Sequence, residues 1–295
     1  MILVTGGTGM FGSRIVSELT ARQVPVRVMA RDLARARSVL GPDVELIQAD
    51  MDRPASLPEA LRGVDRVFLV SPMDQRLADR EIAVIDAAVQ ARVDWVVKVH
   101  GAVRHQQDPA DPLVQLHQAP IDRLRQSGLK WALLSPQTVM ESNFLPYAAQ
   151  ISATGEVWGC CGDARIGFVS ADDVGRAGAV VLTDRNEPGV NYEITGPQAL
   201  SWPQVAAIFS RVLNRPVSYR DLPEADIRQI LITQGGFTED DVDIRAMVHF
   251  HALRMGWADL VTDTYQQLTG RQATSVEEWI TAHAPVFGAG APASA

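Results

Sequence analysis

Glycines crowd together near the start of the chain, spaced Gly6-Gly7-x-Gly9-x-x-Gly12 within ILVTGGTGMFGSRIVSEL. Glycine costs conformational entropy, so such a cluster marks backbone that bends sharply or approaches something closely. The cluster follows an apolar run that reads as a strand. It opens a stretch with Ile15, Val16 and Leu19 on one helical face. Strand, glycine turn and helix start together are the context of a dinucleotide-binding turn. Gly6 permits the tight turn, Gly9 lets main chain approach a pyrophosphate, and Gly12 lets the helix pack on the sheet. Thr8, Met10 and Phe11 complete the segment whose amides, aided by the helix dipole, would face the phosphates. The spacing is G-x-x-G-x-x-G rather than G-x-G-x-x-G.

The ends of the next strands supply the rest of such a site. An acidic residue about 20 positions past the turn would bind the 2′-hydroxyl of NAD. Here VMARDLARAR puts Arg31 at the strand end, and a guanidinium there pairs with a 2′-phosphate. The expected cofactor is therefore NADP(H), preferred over NAD(H). Asp32, one position later, reads as a helix N-cap, and Arg35 and Arg37 read as solvated helix charges. At the third strand end, QADMDRP offers Asp50 to accept from an adenine amino group and Met51 to cover the ring, with Asp52 as a cap of the following helix. The fourth strand ends at Ser71 and Pro72, on the carboxyl edge that ligands favour in open α/β sheets, and the sixth ends at Pro136.

The elements that must position these residues alternate in the first half. Strands are expected at ILVTG, VPVRVMAR, VELIQAD, DRVFLVSP, DWVVKVHG and KWALLSP, with helices between them. The strands are continuously apolar, as in a parallel sheet covered on both faces. The expected fold class is a doubly wound, Rossmann-like α/β sheet with a smaller, mostly helical C-terminal substrate lobe. Residues 1–136 are assigned to the NAD(P)-binding domain. Residues 137–295 form mainly the lobe, with about 165–197 returning to the sheet. After Pro136 the segment through GEVWGCCGD reads as irregular. RIGFVS reads as a short strand before a helix capped by Ser170 or Asp172. Ser201 reads as the N-cap of a later helix, VSYRDLP as a strand, and 224–284 as mostly helical. The tail FGAGAPASA reads as frayed.

In order along the chain, VTGGTGMFG, HQAPIDRLRQSGLKWALLSPQTVMESNF, GFVSADDVGRAGAVVL and YEITGPQALSWPQVAAIFSRVLNRPVSY resemble the blocks of the NmrA-like branch of the atypical short-chain dehydrogenase/reductase superfamily. The resemblance runs to about Leu222. It implies nicotinamide-dependent reduction, or redox sensing, with the lobe after Pro136 as the far wall of a substrate cleft and 168–173 as its support. Members of the superfamily commonly use a Ser after the fifth strand and a Tyr-x-x-x-Lys pair. Aligned on HQAPIDRLRQSG, this chain has His100 at the Ser position, Leu113 at the Tyr position and His117 at the Lys position. No Tyr occurs before Tyr147. Lys98 lies along the strand, too early to replace the Lys.

His100 and His117 are the expected catalytic residues, acting as general acids that titrate near neutrality. His117 is also a candidate for the nicotinamide ribose, and Tyr147 is the alternative proton donor. Met140, Phe144, Tyr147 and Trp158 are expected to line an apolar substrate pocket, though core positions would suit them equally. His105, in RHQQD, reads as solvated. His249 and His251 fall on different helix faces, which disfavours a shared metal, and the adjacent Cys160 and Cys161 lack metal-site spacing.

The chain has 295 residues, 46% hydrophobic and 21% charged, with a formal charge of −8. That balance disfavours nucleic acid. No apolar run reaches membrane-span length, no secretion signal is evident, and two reduced thiols suit the cytoplasm. A homodimer is the candidate assembly on general grounds. The functional expectation is an NADPH-dependent oxidoreductase passing hydride to a small, apolar or aromatic carbonyl, enone, quinone or imine. The alternative is a non-catalytic NADP(H)-sensing regulator that binds a partner protein.

Overall fold

The computed structural model describes residues 1–101, 112–185 and 187–288. Its strands are β1 (Ile2–Val4), β2 (Val26–Ala30), β3 (Glu45–Gln48), β4 (Arg66–Leu69), β5 (Trp95–Val99), β6 (Lys130–Pro136), β7 (Glu156–Gly159), β8 (Asn191–Ile194) and β9 (Ser218–Asp221). The main sheet has seven strands, all parallel, in the order β3-β2-β1-β4-β5-β6-β8. The order reverses between β1 and β4, where Val4 stands opposite both Val28 and Phe68. The carboxyl ends beside such a reversal diverge and leave a crevice.

The helices over the sheet are α1 (Met10–Ala21), α2 (Leu33–Leu40), α3 (Leu57–Ala60), α4 (Leu77–Gln90) and α5 (Pro112–Gln126). After β6 come α6 (Met140–Phe144), α7 (Ala148–Thr154), α8 (Ala171–Thr183), α9 (Trp202–Leu213), α10 (Glu224–Thr233), α11 (Val248–Arg254), α12 (Thr264–Thr269) and α13 (Val276–His283). Strand side chains alternate between faces. Ile2, Val4, Phe68 and Val97 face a core shared with α1 and α8, whereas Leu3, Val67, Leu69 and Val96 face a core shared with α3, α4 and α5. A third core fills the lobe, where Phe144 packs with Phe168, Trp202, Phe209 and Trp279 at centroid distances of 5.0–5.7 Å.

Three local expectations change. The segment after Pro136 is not irregular: it holds α6, α7 and β7, and β7 pairs with β9 in a separate two-stranded sheet. RIGFVS forms no strand. Its Ile166 and Val169 make single bridges, antiparallel to Leu200 and parallel to Val139, so two opposite pairings share the segment and no ladder forms. Asp52 caps no helix and instead pairs with Arg80 at 2.7 Å and Arg76 at 3.1 Å. The expected caps at Asp32, Ser170 and Ser201 form. The RHQQD loop with His105, and the tail from residue 289, lie outside the described residues.

Thr5 ties the crevice together. Its hydroxyl donates to the Val70 carbonyl at 2.7 Å and accepts from the Val70 amide at 2.8 Å. Both strand ends at the reversal are thus held by one buried side chain. Replacing Thr5→Val keeps the shape and leaves the Val70 groups without this partner. A loss of about 1–3 kcal/mol in urea unfolding is expected.

Candidate active site at the carboxyl edge

Because the main-sheet strands are parallel, Gly6, Arg31, Asp50, Ser71, His100 and Pro136 all emerge at one edge. The structure brings these sequence-predicted residues together there. Gly6 adopts φ +57°, a left-handed conformation suited to glycine, and its carbonyl accepts from the Gly9 amide at 2.8 Å. Gly12 lies so close beneath that a β-carbon would sit 2.2 Å from the Gly6 oxygen. Gly9 is the N-cap of α1, and no side chain caps that helix. Its first-turn amides, flanked by the half-buried Thr8, Met10 and Phe11, are left for an external acceptor. This side-chain-free cradle fits the pyrophosphate of a dinucleotide.

Arg31 is exposed just past β2, with no ion pair or side-chain hydrogen bond among the described residues. Asp32 is committed to capping α2 through the Arg35 amide at 3.0 Å. Arg37 is not simply solvated: it donates to the carbonyls of Gly41, Pro42 and Val44 and closes the end of α2. The Asp50 carboxylate accepts from the Asp52 amide at 3.0 Å, and Met51 packs partly on the core below. Pro72 is exposed and Pro136 is buried at the end of β6.

Beside the crevice lies a set of buried polar groups. Lys98 interrupts the apolar β5 and is fully buried on the α4 face. Its Nζ stands 2.9 Å from Glu81 Oε2, 2.9 Å from the Val99 carbonyl and 3.3 Å from His117 Nδ1. Ser71 donates to the other Glu81 oxygen at 3.0 Å. The His100 ring meets His117 edge-on, with centroids 5.1 Å apart. His117 Nε2 and His100 Nδ1 are buried without a hydrogen-bond partner among the described residues. Lys98 thus reaches the imidazole of His117 from the neighbouring strand.

Sequence reasoning missed Glu81 and Thr5 and set Lys98 aside. For Lys98 and Glu81 a signal existed: one Lys in an otherwise apolar strand, and Glu81 on the face of α4 shared by Val84, Ile85 and Ala88. Opposite charges on two buried faces must meet.

The expected titration of the two histidines near neutrality is corrected. Burial and the adjacent Lys98 push His100 down to about 3 and His117 well below its usual value. Both rings are neutral near pH 7, so they serve as hydrogen-bonding groups rather than imidazolium acids. Tyr147 is corrected too. Its hydroxyl donates to the Trp158 carbonyl at 2.5 Å, its ring packs on Trp202, and burial raises its pKa. Met140 and Phe144 are wholly buried core residues, not pocket lining, because α6 turns them inward against α9 and α13. Trp158 stays partly exposed, with its Nε1 donating to Glu156 at 2.8 Å. Burial also raises the Cys160 and Cys161 thiols to about 12, leaving them inert. Among the described residues no cluster suits a metal ion, and no helix is long and apolar enough to cross a membrane.

A histidine buried neutral binds fewer protons folded than unfolded. Its contribution is intact above the unfolded value near 6.5 and is lost as pH falls towards about 3. Burial acts oppositely on Glu81, whose raised pKa favours the folded state as pH falls. The His100 part is isolated by difference. Between about pH 7.5 and about pH 5.5, His100→Asn should lose roughly 1 kcal/mol less stability than the unaltered protein in urea unfolding.

The chain is similar to known reductases along nearly its whole length. The chain is 34% identical over 290 residues to an NAD(P)H azoreductase of Xenophilus azovorans, covering 98% of this chain and 100% of that one. It is 33% identical over 287 residues to a (4-alkanoyl-5-oxo-2,5-dihydrofuran-3-yl)methyl phosphate reductase of Streptomyces griseus, covering 97% and 99%. The structure of an NADPH-dependent quinone oxidoreductase of Escherichia coli complexed with NADPH superposes with a TM-score of 0.85 at 26% identity, covering 96% of this chain and 99% of that one. The family model described as NmrA-like matches residues 1–280. With that match added to a glycine turn at the sheet reversal, the chain belongs to the NmrA-like family.

Proposed function

We propose that the protein is an NADPH-dependent reductase of a small, apolar or aromatic acceptor: a carbonyl, enone, quinone or imine. The observation that carries this reading is the uncapped N-terminus of α1 over a turn with no room for side chains, at the sheet reversal. Relatives across nearly the whole length are an NAD(P)H azoreductase and a second reductase, which supports an NAD(P)H-dependent oxidoreductase in general.

In this reading the α1 amides and the turn from Gly6 to Gly12 hold the pyrophosphate. Arg31 takes the 2′-phosphate, its neighbouring carboxylate Asp32 being engaged in capping α2. Asp50 and Met51 hold the adenine end, and Ser71, Pro72 and Pro136 border the remainder. When bound, the nicotinamide supplies hydride. The protein orients the acceptor and offers hydrogen bonds from the neutral His100 and His117 at the carboxyl end of β5. Trp158, partly exposed in the lobe, is the remaining candidate for contact with an apolar substrate.

Titration by tryptophan quenching tests the cofactor. NADPH should bind more tightly than NADH. Arg31→Ala should weaken NADPH about tenfold or more while changing NADH little, as loss of one charge-assisted pair implies. An NADPH-oxidation screen over quinones, enones, imines and azo compounds tests the chemistry. Equal affinity for both cofactors would remove Arg31 from its role. Tight binding without turnover on any class would favour a sensor.

A further inference from the structure

We infer that Lys98, held by Glu81, is a positioning residue that fixes the tautomer of His117 and resupplies its proton. The inference rests on the reductase reading above for its catalytic consequence, but its structural content does not. An ammonium has three hydrogens and no lone pair. Lys98 Nζ pairs with the Glu81 carboxylate at 2.9 Å, donates to the Val99 carbonyl and stands 3.3 Å from His117 Nδ1, to which it can only donate. His117 Nδ1 must then accept, so the single proton of the neutral ring sits on Nε2. That nitrogen is buried, has no partner among the described residues, and stands 3.4 Å from where a β-carbon on Gly101 would lie. A buried donor left unpaired is costly, and such groups concentrate where a ligand completes them.

Glu81 and Ser71 make the arrangement rigid. The carboxylate takes Lys98 on one oxygen and the Ser71 hydroxyl on the other, so neither long side chain can rotate away. The charged or titratable groups facing His117 are Lys98 from β5, His100 after β5 and His249 from α11. Lys98 Nζ stands 3.3 Å from the ring's Nδ1.

Proton transfer follows from this geometry. The Nε2–H bond breaks as its proton passes to an acceptor oxygen or nitrogen that has become basic on taking up hydride from the nicotinamide. An Nζ–H bond breaks at the same time and an Nδ1–H bond forms. The imidazole stays neutral throughout and Lys98 becomes an amine beside the Glu81 carboxylate; a solvent proton then enters at Nε2 as the Nδ1 proton returns to Nζ, which restores both the starting tautomer and the ammonium. His117 thus delivers a proton without becoming an imidazolium, which its surroundings oppose.

The test reads the tautomer directly. In the protein without cofactor, ¹⁵N–¹H correlation spectra of the imidazoles at neutral pH should show His117 protonated at Nε2 alone. Lys98→Met by itself strands a buried carboxylate and is expected to unfold or aggregate. The Glu81→Gln/Lys98→Met double variant removes both charges and keeps the volume. It should fold, show Nδ1–H alongside Nε2–H, and lose tenfold or more in kcat with the KM for NADPH within about twofold. An Nδ1–H ring in the unaltered protein would overturn the inference. So would a double variant that keeps the Nε2–H tautomer alone, or one that keeps its kcat. If the unaltered protein turns over no acceptor, the reductase reading fails while the spectra still decide the tautomer.

Discussion

The close contact between α1 and the end of β1 governs the rest of the molecule. The Gly6 carbonyl lies where a side chain on residue 12 would be. Only with that space empty can the helix begin immediately after the strand and aim its free amides at the crevice. Thr5 then closes the adjoining strand ends, so the divergence at the reversal is held open above and pinned below. An α1 displaced by one side chain would carry its dipole away from the edge where the other strand ends converge. The parallel order of the sheet turns this single local economy into a site shared by six strand ends.

The second organising feature is a charge pair buried within the sheet-and-helix layer. Burying Glu81 and Lys98 incurs a desolvation penalty that their attraction does not reliably recover. What it secures is orientation: one nitrogen anchored by a carboxylate, a carbonyl and an imidazole cannot adopt a second geometry. The superfamily commonly places Lys on the helix after the fifth strand. Here the helix contributes His117 and the strand contributes the cation Lys98, 3.3 Å apart.

The lobe shows how composition misleads where periodicity is weak. Met140, Phe144 and Tyr147 occur in a stretch without clear helical or strand spacing, which resembles a pocket-lining loop. In the folded protein α6 and α7 are short; Phe144 of α6 packs on α9 and α13, and α7 buries Ile151 in the same core. Short helices carry too few turns for a recognisable apolar stripe, and their partners are distant in sequence. Phe144 and Trp279, 5.5 Å apart, are separated by more than a hundred residues.

The parallel sheet, its order of strands and helices, the glycine turn and the caps at Asp32, Ser170 and Ser201 were all legible from the chain. Each leaves a local signature in the chain: continuously apolar β-rich runs, helical spacing, a side chain reaching the amide two or three positions on. The presence of His100 and His117 was legible in the same way, through their place in motifs. Their protonation was not, because it depends on burial and on Lys98, which arrive from other elements. The union of Ser71, Glu81, Lys98 and His117, and the withdrawal of Tyr147 into the lobe, were likewise settled only by tertiary structure. A local pattern specifies which element forms, whereas the charge state and reach of a side chain depend on the dielectric and partners that packing brings to it.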